Sequence, residues 1–331
     1  MHFRSFDDLH ADIDRWVREL PPDIELVVGI PRSGLLAANI IALRLNCHLT
    51  DVEHFTQGEY LASGRRCPSA PDLDDMENIL VVDDSVRTGE TIEEVKAVID
   101  AEVGLSEKIR FGAVYVSDDG KSKVDTYAVE LVSPRVFEWN MMHHPKLTEW
   151  CVDIDGVLCR DPLALENDDG ARYVEFLTEV RPRVVPSYPI GHLVTSRLEI
   201  YRAVTEQWLA DHSIEYSHLH MMDYPDMKTR RARGDYASYK ASIYDATGAP
   251  LFIESNPDQA RRICEIVKRP VFCTDTTQLY RPGFCHAAYG RTKSSVKRVR
   301  SKPEKYLTDF LTNPIAFAGK TKRHIVEKSK S

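Results

Sequence analysis

The sequence predicts an α/β protein of two domains, each a parallel sheet flanked by helices, followed by a basic C-terminal extension. Short apolar runs alternate with segments of helical length, which is typical of parallel sheets with helices on their faces. This alternation stops near residue 140 and restarts near residue 149. The length of 331 residues also suits two domains better than one.

The first half contains three predicted strands and two predicted helices. The strands are expected at 24–30, 79–83 and 109–116, and the helices at 33–45 and 90–101. Between Asp51 and Asn78 the pattern is lost, because the chain there is polar and carries two glycines and two prolines. This stretch exceeds the usual loop length, so we interpret it as a functional flap.

The second half repeats the alternation with different motifs. Strands are expected at 149–155, 191–196, 250–255 and 269–275, and an amphipathic helix at 198–212. The resulting domains are 1–145 and 146–289, with the extension at 290–331.

Composition and charge favour a globular protein of the cytoplasm. Hydrophobic residues make up 43% of the chain, and no apolar run reaches the ~20 residues that span a bilayer. The charged N-terminus is unlike a signal peptide. Seven scattered cysteines without a C-x-x-C pair argue against a disulfide framework and against a zinc site.

The extension differs in charge from the rest of the chain. Residues 290–331 hold twelve Lys/Arg and three acidic residues, about +9, whereas the net charge of the whole chain is −8. Basic segments are attracted to membrane surfaces by ~1 kcal/mol per charge, so peripheral contact with the inner face of the membrane is one expectation. A solvated extension is the alternative. Nucleic-acid binding is not expected, because few aromatic residues stand between the basic ones.

Two strand-to-helix turns in the first half predict anion sites. In ILVVDDSVRTGETIEEV (79–95), an apolar strand leads to two acids, a Thr/Gly loop and a helix whose first N–H groups are unpaired. Asp83 and Asp84 are placed to accept hydrogen bonds from sugar hydroxyls, although two acids can also simply cap a helix. VVGIPRSGLLAA (27–38) supplies the second turn, so a substrate with phosphates at both ends would fit.

Together these turns resemble the type I phosphoribosyltransferases over residues 20–140. The resemblance implies 5-phosphoribosyl 1-diphosphate as donor, with Mg²⁺ bridging the diphosphate and the ribose hydroxyls. It also implies three groups of binding residues: Asp83 and Asp84 for the ribose hydroxyls; Arg32, Ser33 and Gly34 for the diphosphate; and Ser85, Arg87, Thr88, Gly89 and Thr91 for the 5-phosphate.

Three further features bear on this resemblance. Tyr60, Arg65 or Arg66 in the flap is expected to close over the diphosphate. VFEWN (136–140) looks like the aromatic hood of the family, with a plain linker as the alternative. Arg87 stands where purine-salvage members often carry an acid, which weakens a purine acceptor without excluding a pyrimidine.

The second half carries a pattern suited to phosphoryl transfer. WCVDIDGVLCRDP (150–162) ends a strand with Asp-x-Asp, in which Asp153 is expected to attack phosphorus and Asp155 to shuttle a proton; strand-end turn acids are the alternative. Thr195 ends another predicted strand and is expected to bind the phosphoryl group. Lys240, with Lys228 as a weaker candidate, would neutralise that group, and Glu254 with Asp258 forms an acidic pair suited to Mg²⁺.

This order resembles the haloacid dehalogenase-like phosphatases over residues 149–280. Glu254 replaces the usual first Asp of the acidic pair, so either Glu254 or Asp258 is the expected direct metal ligand, beside Asp153 and Asp155. About thirty-five residues separate Asp155 from the Thr195 strand, which is too short for a large cap domain.

The fusion suggests two consecutive steps: transfer of 5-phosphoribosyl to an acceptor, then removal of the 5-phosphate. It is similar to the fused proteins that make ribofuranose in bacterial surface polysaccharides, which implies a glycan or lipid-linked glycan acceptor. One alternative is a nucleobase phosphoribosyltransferase fused to a nucleotidase. Another is a regulator that only senses the ribose diphosphate, against which the intact acid pairs argue.

Overall fold

The computed structural model describes residues 1–61, 66–67, 71–103 and 106–283. Tertiary contacts divide this part of the chain into two compact units. The first unit holds Met1–Thr148, Val184–Gly191 and Leu209–Ser217; the second holds Glu149–Arg183, His192–Trp208 and the residues from His218 on. The basic extension predicted at 290–331 lies outside the described residues.

Seven strands and four helices, apart from short 3₁₀ turns, build the described part of the first unit. The strands are β1 (His2–Arg4), β2 (Leu26–Gly29), β3 (His48–Asp51), β4 (Ile79–Val86), β5 (Ile109–Val116), β6 (Thr126–Glu130) and β7 (Arg135–Phe137). The helices are α1 (Phe6–Trp16), α2 (Gly34–Leu45), α3 (Val52–Thr56) and α4 (Glu90–Glu102). Five of the strands form a fully parallel sheet in the order β3-β2-β4-β5-β6, and β1 pairs with β7.

Two hydrophobic clusters position the ends of the central strands. One cluster contains Trp16 and packs α1 and α2 against the sheet, while the other surrounds Phe55 and Ile92. Because both faces are covered, all four residues of β2 are buried. β2 and β4 are parallel neighbours, so the turns that follow them emerge at the same edge of the sheet.

The second unit is built on a six-stranded sheet in the order β10-β9-β8-β11-β12-β13. Its strands are β8 (Cys151–Val152), β9 (Ile190–Leu198), β10 (Tyr216–Met222), β11 (Phe252–Glu254), β12 (Val271–Cys273) and β13 (Gln278–Tyr280). Its helices are α5 (Ala171–Glu179), α6 (Arg202–Asp211), α7 (Met227–Arg233), α8 (Tyr236–Thr247) and α9 (Pro257–Val267). β8 pairs in parallel with both β9 and β11, and β12 runs parallel to β11 and antiparallel to β13.

The predicted α/β class with parallel sheets and flanking helices is confirmed. Two strand lengths differ from the sequence prediction. β4 continues past Asp83 to Val86, because the eight-residue β5 pairs with it beyond the apolar run. The strand predicted at 149–155 is paired only over Cys151–Val152, so Asp153 and Asp155 follow it. Among the described residues, no helix is long and apolar enough to cross a membrane.

Candidate functional sites

The first candidate site begins where β2 turns into α2. Gly34, the first residue of α2, packs against the end of β4: a Cβ here would lie 2.9 Å from the Val82 carbonyl oxygen and 3.0 Å from Asp83 Oδ1. The missing side chain therefore lets the helix N-terminus approach the acid pair. The Ser33 hydroxyl donates to Asp84 Oδ1 at 2.8 Å, which ties the two turns together.

The acid pair of β4 is arranged unequally. Asp84 is buried and accepts hydrogen bonds from Ser33 and, at 2.7 Å, from the indole N–H of Trp139. Asp83 is partly buried; burial and the neighbouring charge of Asp84 raise its pKa to about 8. Two adjacent carboxylates with this much burial favour a ligand that brings hydroxyl donors or a cation.

The residues predicted to hold a 5-phosphate follow directly. Ser85 still belongs to β4 and pairs with Tyr115, whereas Arg87, Thr88 and Thr91 are exposed around the N-terminus of α4. This thirteen-residue helix presents its unpaired N–H groups and the positive end of its dipole to the loop. Gly89 occupies the N-cap with φ of 86°, a conformation that favours glycine.

The predicted aromatic hood contacts the acid pair through Trp139. Its ring stacks on Phe137 with centroids 4.9 Å apart, and Phe137 in turn lies 5.2 Å from the Tyr115 ring. Next to it, the Asn140 amide oxygen accepts a 2.6 Å hydrogen bond from Arg32. Asn140 is the last residue of the predicted hood segment, but the sequence assigned it no role of its own.

Two of the three predicted flap residues, Tyr60 and Arg66, lie within the described part of the chain. The Tyr60 hydroxyl donates to the backbone oxygen of Pro71 at 3.2 Å, within the flap itself. The backbone oxygen of Arg66 accepts a hydrogen bond from the Asn46 side chain, and Arg65 lies outside the described residues. Closure of these side chains over a diphosphate stays a prediction.

The second candidate site is a cavity of about 310 Å³ within the second unit. Its lining includes the acids Asp153, Asp155, Asp161, Glu254 and Asp275 and the bases Arg230, Arg231 and Lys240. Lys240 is 1% exposed and donates to Asp153 at 2.6 Å and to Glu254 at 2.7 Å. Burial opposes the charge on Lys240, but the two carboxylates outweigh it and raise the lysine pKa. Burial also raises the pKa of Asp153, and the positive charge of Lys240 offsets only part of this rise.

Asp155 has a different cation as its partner. The fully buried Arg197 donates to both carboxylate oxygens, at 2.7 Å from Nη2 and 3.0 Å from Nε. Burial works against the charge on Arg197, yet the negative charge of Asp155 more than compensates, so the pKa of Arg197 is raised. The two acids of the Asp-x-Asp pair are therefore held by separate side chains.

Three predicted residues, counting the weaker candidate Lys228, lie outside the cavity lining. Thr195 is fully buried, and its hydroxyl accepts from the Arg197 backbone N–H at 3.2 Å; the next residue, Ser196, lines the cavity instead. Asp258 is exposed on the first turn of α9, while Glu254 is buried and accepts from Lys240. Lys228 is also exposed, so the structure brings Lys240 rather than Lys228 to the acids.

The donor chemistry of both sites fits Mg²⁺ in part. Mg²⁺ prefers oxygen ligands and commonly takes one or two carboxylates together with substrate phosphates. Asp83 and Asp84 offer such oxygens in the first unit, and Asp153 does so in the cavity lining of the second. Within the described residues, no group of three or more His, Cys, Asp or Glu side chains could hold a metal by itself.

Two anion turns and an acid pair at the carboxyl edge of a parallel sheet are the arrangement of a type I phosphoribosyltransferase domain. The family model described as "Phosphoribosyl transferase domain" matches residues 5–145. Xanthine-guanine phosphoribosyltransferase of Cereibacter sphaeroides is 32% identical over 149 residues, covering 41% of this chain and 85% of the relative. The Desulfotalea psychrophila protein of the same name is 32% identical over 142 residues, covering 41% and 84%.

Among solved structures, the Helicobacter pylori xanthine-guanine-hypoxanthine phosphoribosyltransferase is similar to this chain. It shows 19% identity and a TM-score of 0.33, covering 42% of this chain and 92% of that one. With relatives of 32% identity covered over most of their length, the chain belongs to the phosphoribosyltransferase family through its N-terminal part.

Proposed function

We propose that the chain is a bifunctional enzyme that transfers 5-phosphoribosyl from 5-phosphoribosyl 1-diphosphate to an acceptor and then removes the 5-phosphate. The observation that carries the second step is the buried cluster of Asp153, Lys240 and Glu254 beside the cavity of the second unit. Three charged groups are costly to bury, and such clusters concentrate at functional sites.

The transfer step relies on charge placement. Loss of diphosphate from the donor leaves an oxocarbenium-like sugar, which fixed negative charge stabilises. Asp84, held in place by Ser33 and Trp139, would accept from a ribose hydroxyl, and Asp83 would do so once a bound cation displaces its proton. The two turns, with their helix N-termini, would hold the diphosphate and the 5-phosphate. Mg²⁺, when bound, would supply charge that offsets the leaving diphosphate.

The second step follows the haloacid dehalogenase-like pattern. Asp153 would attack the phosphorus and displace the sugar oxygen, which would take a proton from Asp155, oriented by Arg197; water would then attack the phosphoryl group on Asp153 and release phosphate. The placement supports this proposal, because both acids follow the central strand β8 and Lys240 reaches Asp153 from α8. Ser196 is better placed than Thr195 to contact the phosphoryl group. Loss of phosphate would make the two steps together irreversible.

We propose a glycan acceptor, lipid-linked or free, in the synthesis of a ribofuranose-containing polysaccharide. Arg87 supports this choice, because a guanidinium cannot take the proton of a purine as a carboxylate can. A nucleobase acceptor with a nucleotidase step is the second candidate, and the names of the relatives favour it. Under the first proposal the basic extension would bring the enzyme to anionic membrane surfaces.

One experiment separates the two steps. The full chain is incubated with the ribose diphosphate, Mg²⁺ and an acceptor, and the products are weighed by mass spectrometry. Asp153→Asn should yield a product heavier by one phosphate, whereas the exposed control Asp223→Asn should yield the wild-type product. Fully dephosphorylated product at the wild-type rate from Asp153→Asn would refute the second step.

The same assay distinguishes the acceptors. Adenine, guanine, hypoxanthine, xanthine, uracil and orotate are tested against a panel of synthetic glycans. The glycan proposal predicts diphosphate release with a glycan and none above background with the bases. Turnover with any base near the enzyme median of ~10 per second would replace it with the nucleotide proposal.

A further inference from the structure

The cavity of the second unit gathers polar atoms that no protein group satisfies. Within the described part of the chain, Ser196 Oγ, Arg230 Nε, Asn167 Oδ1 and Gln259 Oε1 are buried without a hydrogen-bond partner. All four residues line the same cavity. An unpaired buried polar group is costly, and native proteins leave few of them. Their concentration around one cavity indicates a polar ligand.

Arg230 is held in place before any ligand binds. It is 8% exposed, its Nη1 donates to the backbone oxygen of Ser196 at 2.5 Å, and its guanidinium lies 5.7 Å from the centroid of the Tyr236 ring. Asp226 caps the N-terminus of its helix, α7, through a hydrogen bond from the Thr229 backbone N–H. The position of the guanidinium is thus fixed while Nε keeps a free donor.

Charge balance gives Arg230 its importance. Five acids line the cavity, and the charge of Lys240 is shared between two of them. Arg231 also lines the cavity but is an exposed residue. Arg230 is therefore the buried base of the described lining whose charge is not already paired with a carboxylate. Arginine suits phosphate because its planar donors match the phosphate oxygens.

We propose that this cavity binds a sugar phosphate. Arg230 would bind the phosphate, and the amides of Asn167 and Gln259 would form hydrogen bonds with the sugar hydroxyls. An amide offers both an acceptor and donors, as a hydroxyl does, so the two groups pair well. The choice of a phosphorylated pentose rests on the proposed function, in which the second unit acts on a 5-phosphoribosyl product. Selectivity for sugar over other phosphate esters then comes from the two amides.

The test measures binding by isothermal titration calorimetry to the full chain carrying Asp153→Asn, which prevents turnover. Ribose 5-phosphate and inorganic phosphate are the probes. Arg230→Gln should weaken both by about 10- to 100-fold, and the matched control Arg233→Gln, at an exposed arginine of α7 outside the cavity lining, by less than about twofold. Asn167→Ala and Gln259→Ala should each weaken ribose 5-phosphate by about 3- to 10-fold and leave inorganic phosphate unchanged.

Arg230→Lys controls for a folding defect, because lysine keeps the positive charge but lacks the guanidinium Nε. This variant should unfold at the wild-type temperature by circular dichroism and should bind both probes more weakly. Unchanged affinity in a folded Arg230→Gln, or equal loss of both probes in the amide variants, overturns the inference. Hydrolysis assays on the chain with Asp153 intact separate the two proposals. Binding that depends on Arg230 without hydrolysis refutes only the phosphatase, and hydrolysis that is insensitive to Arg230 refutes only this inference.

Discussion

Replacing Lys240 by methionine tests whether the second unit depends on its buried charge cluster. Lys240→Met keeps most of the side-chain volume but leaves Asp153 and Glu254, 4% and 0% exposed, without their shared cation. Each of the two hydrogen bonds to a charged group contributes ~1.5–3 kcal/mol. Breaking a buried ion pair by removing one partner costs ~3–5 kcal/mol. We expect the free energy of unfolding of the second unit to fall by about 3–5 kcal/mol.

The assay is urea unfolding at neutral pH, with hydrogen-exchange mass spectrometry on peptides from β8 and β11 to assign the transition to the second sheet. Lys228→Met is the matched control, because Lys228 is exposed, and it should change the unfolding free energy by less than ~1 kcal/mol. Adding Glu254→Gln to Lys240→Met should restore part of the loss, since one uncompensated charge is removed. A loss below ~1 kcal/mol in Lys240→Met would refute the reasoning.

Two further predictions concern pH. The pKa of Asp83 is about 8 in the fold, so between pH 4 and 8 the folded state keeps a proton that the unfolded state has released, and stability of the first unit should fall as pH rises. Asp83→Asn should make the unfolding free energy less dependent on pH, and it should abolish ribosyl transfer. Urea unfolding at pH 6 and 8.5 measures the pH dependence. The same decrease in unfolding free energy in the wild type and in Asp83→Asn would contradict the prediction. In the second unit, burial and the charge of neighbouring histidines lower the pKa of His192 and His220. The folded state then binds fewer protons than the unfolded one below about pH 6.5, so thermal stability should fall from pH 7 to 5, and less steeply in His218→Gln.

The two anion turns and the acid pair of the first unit could be predicted from sequence because each turn is local. Each turn joins an apolar strand to a helix within about fifteen residues, and parallel strands end at one edge of a sheet. Asp84 and Ser33 indeed meet, at 2.8 Å. The helix α1 was missed, since its buried face includes the acid Asp12 beside Leu9 and Ile13, although Ser5 and Asp8 form a capping box at its start.

The lining of the second cavity could not be predicted in the same way. Asp161, Arg230 and Asp275 come from segments far apart in the chain, and none carries a local pattern. Thr195 and Ser196 show how one residue decides a role. β9 runs on to Leu198, and neighbouring side chains in a strand point to opposite faces. The sequence alone predicts neither the end of a strand nor its register to within one residue.

The Asp-x-Asp pair illustrates how spacing becomes chemistry. Two carboxylates one residue apart have the same intrinsic acidity, so their division of labour in the proposed reaction must come from their surroundings. Asp153 is buried against Lys240, an ammonium shared with Glu254, while Asp155 lies against the planar guanidinium of Arg197. Arg197 donates to both oxygens of Asp155 and so fixes the orientation of that carboxylate. Lys240, an ammonium that can only donate, binds one oxygen of Asp153. The acid proposed as the nucleophile is thus the one whose cation constrains it least, and the acid proposed to move a proton is the one whose orientation is fixed.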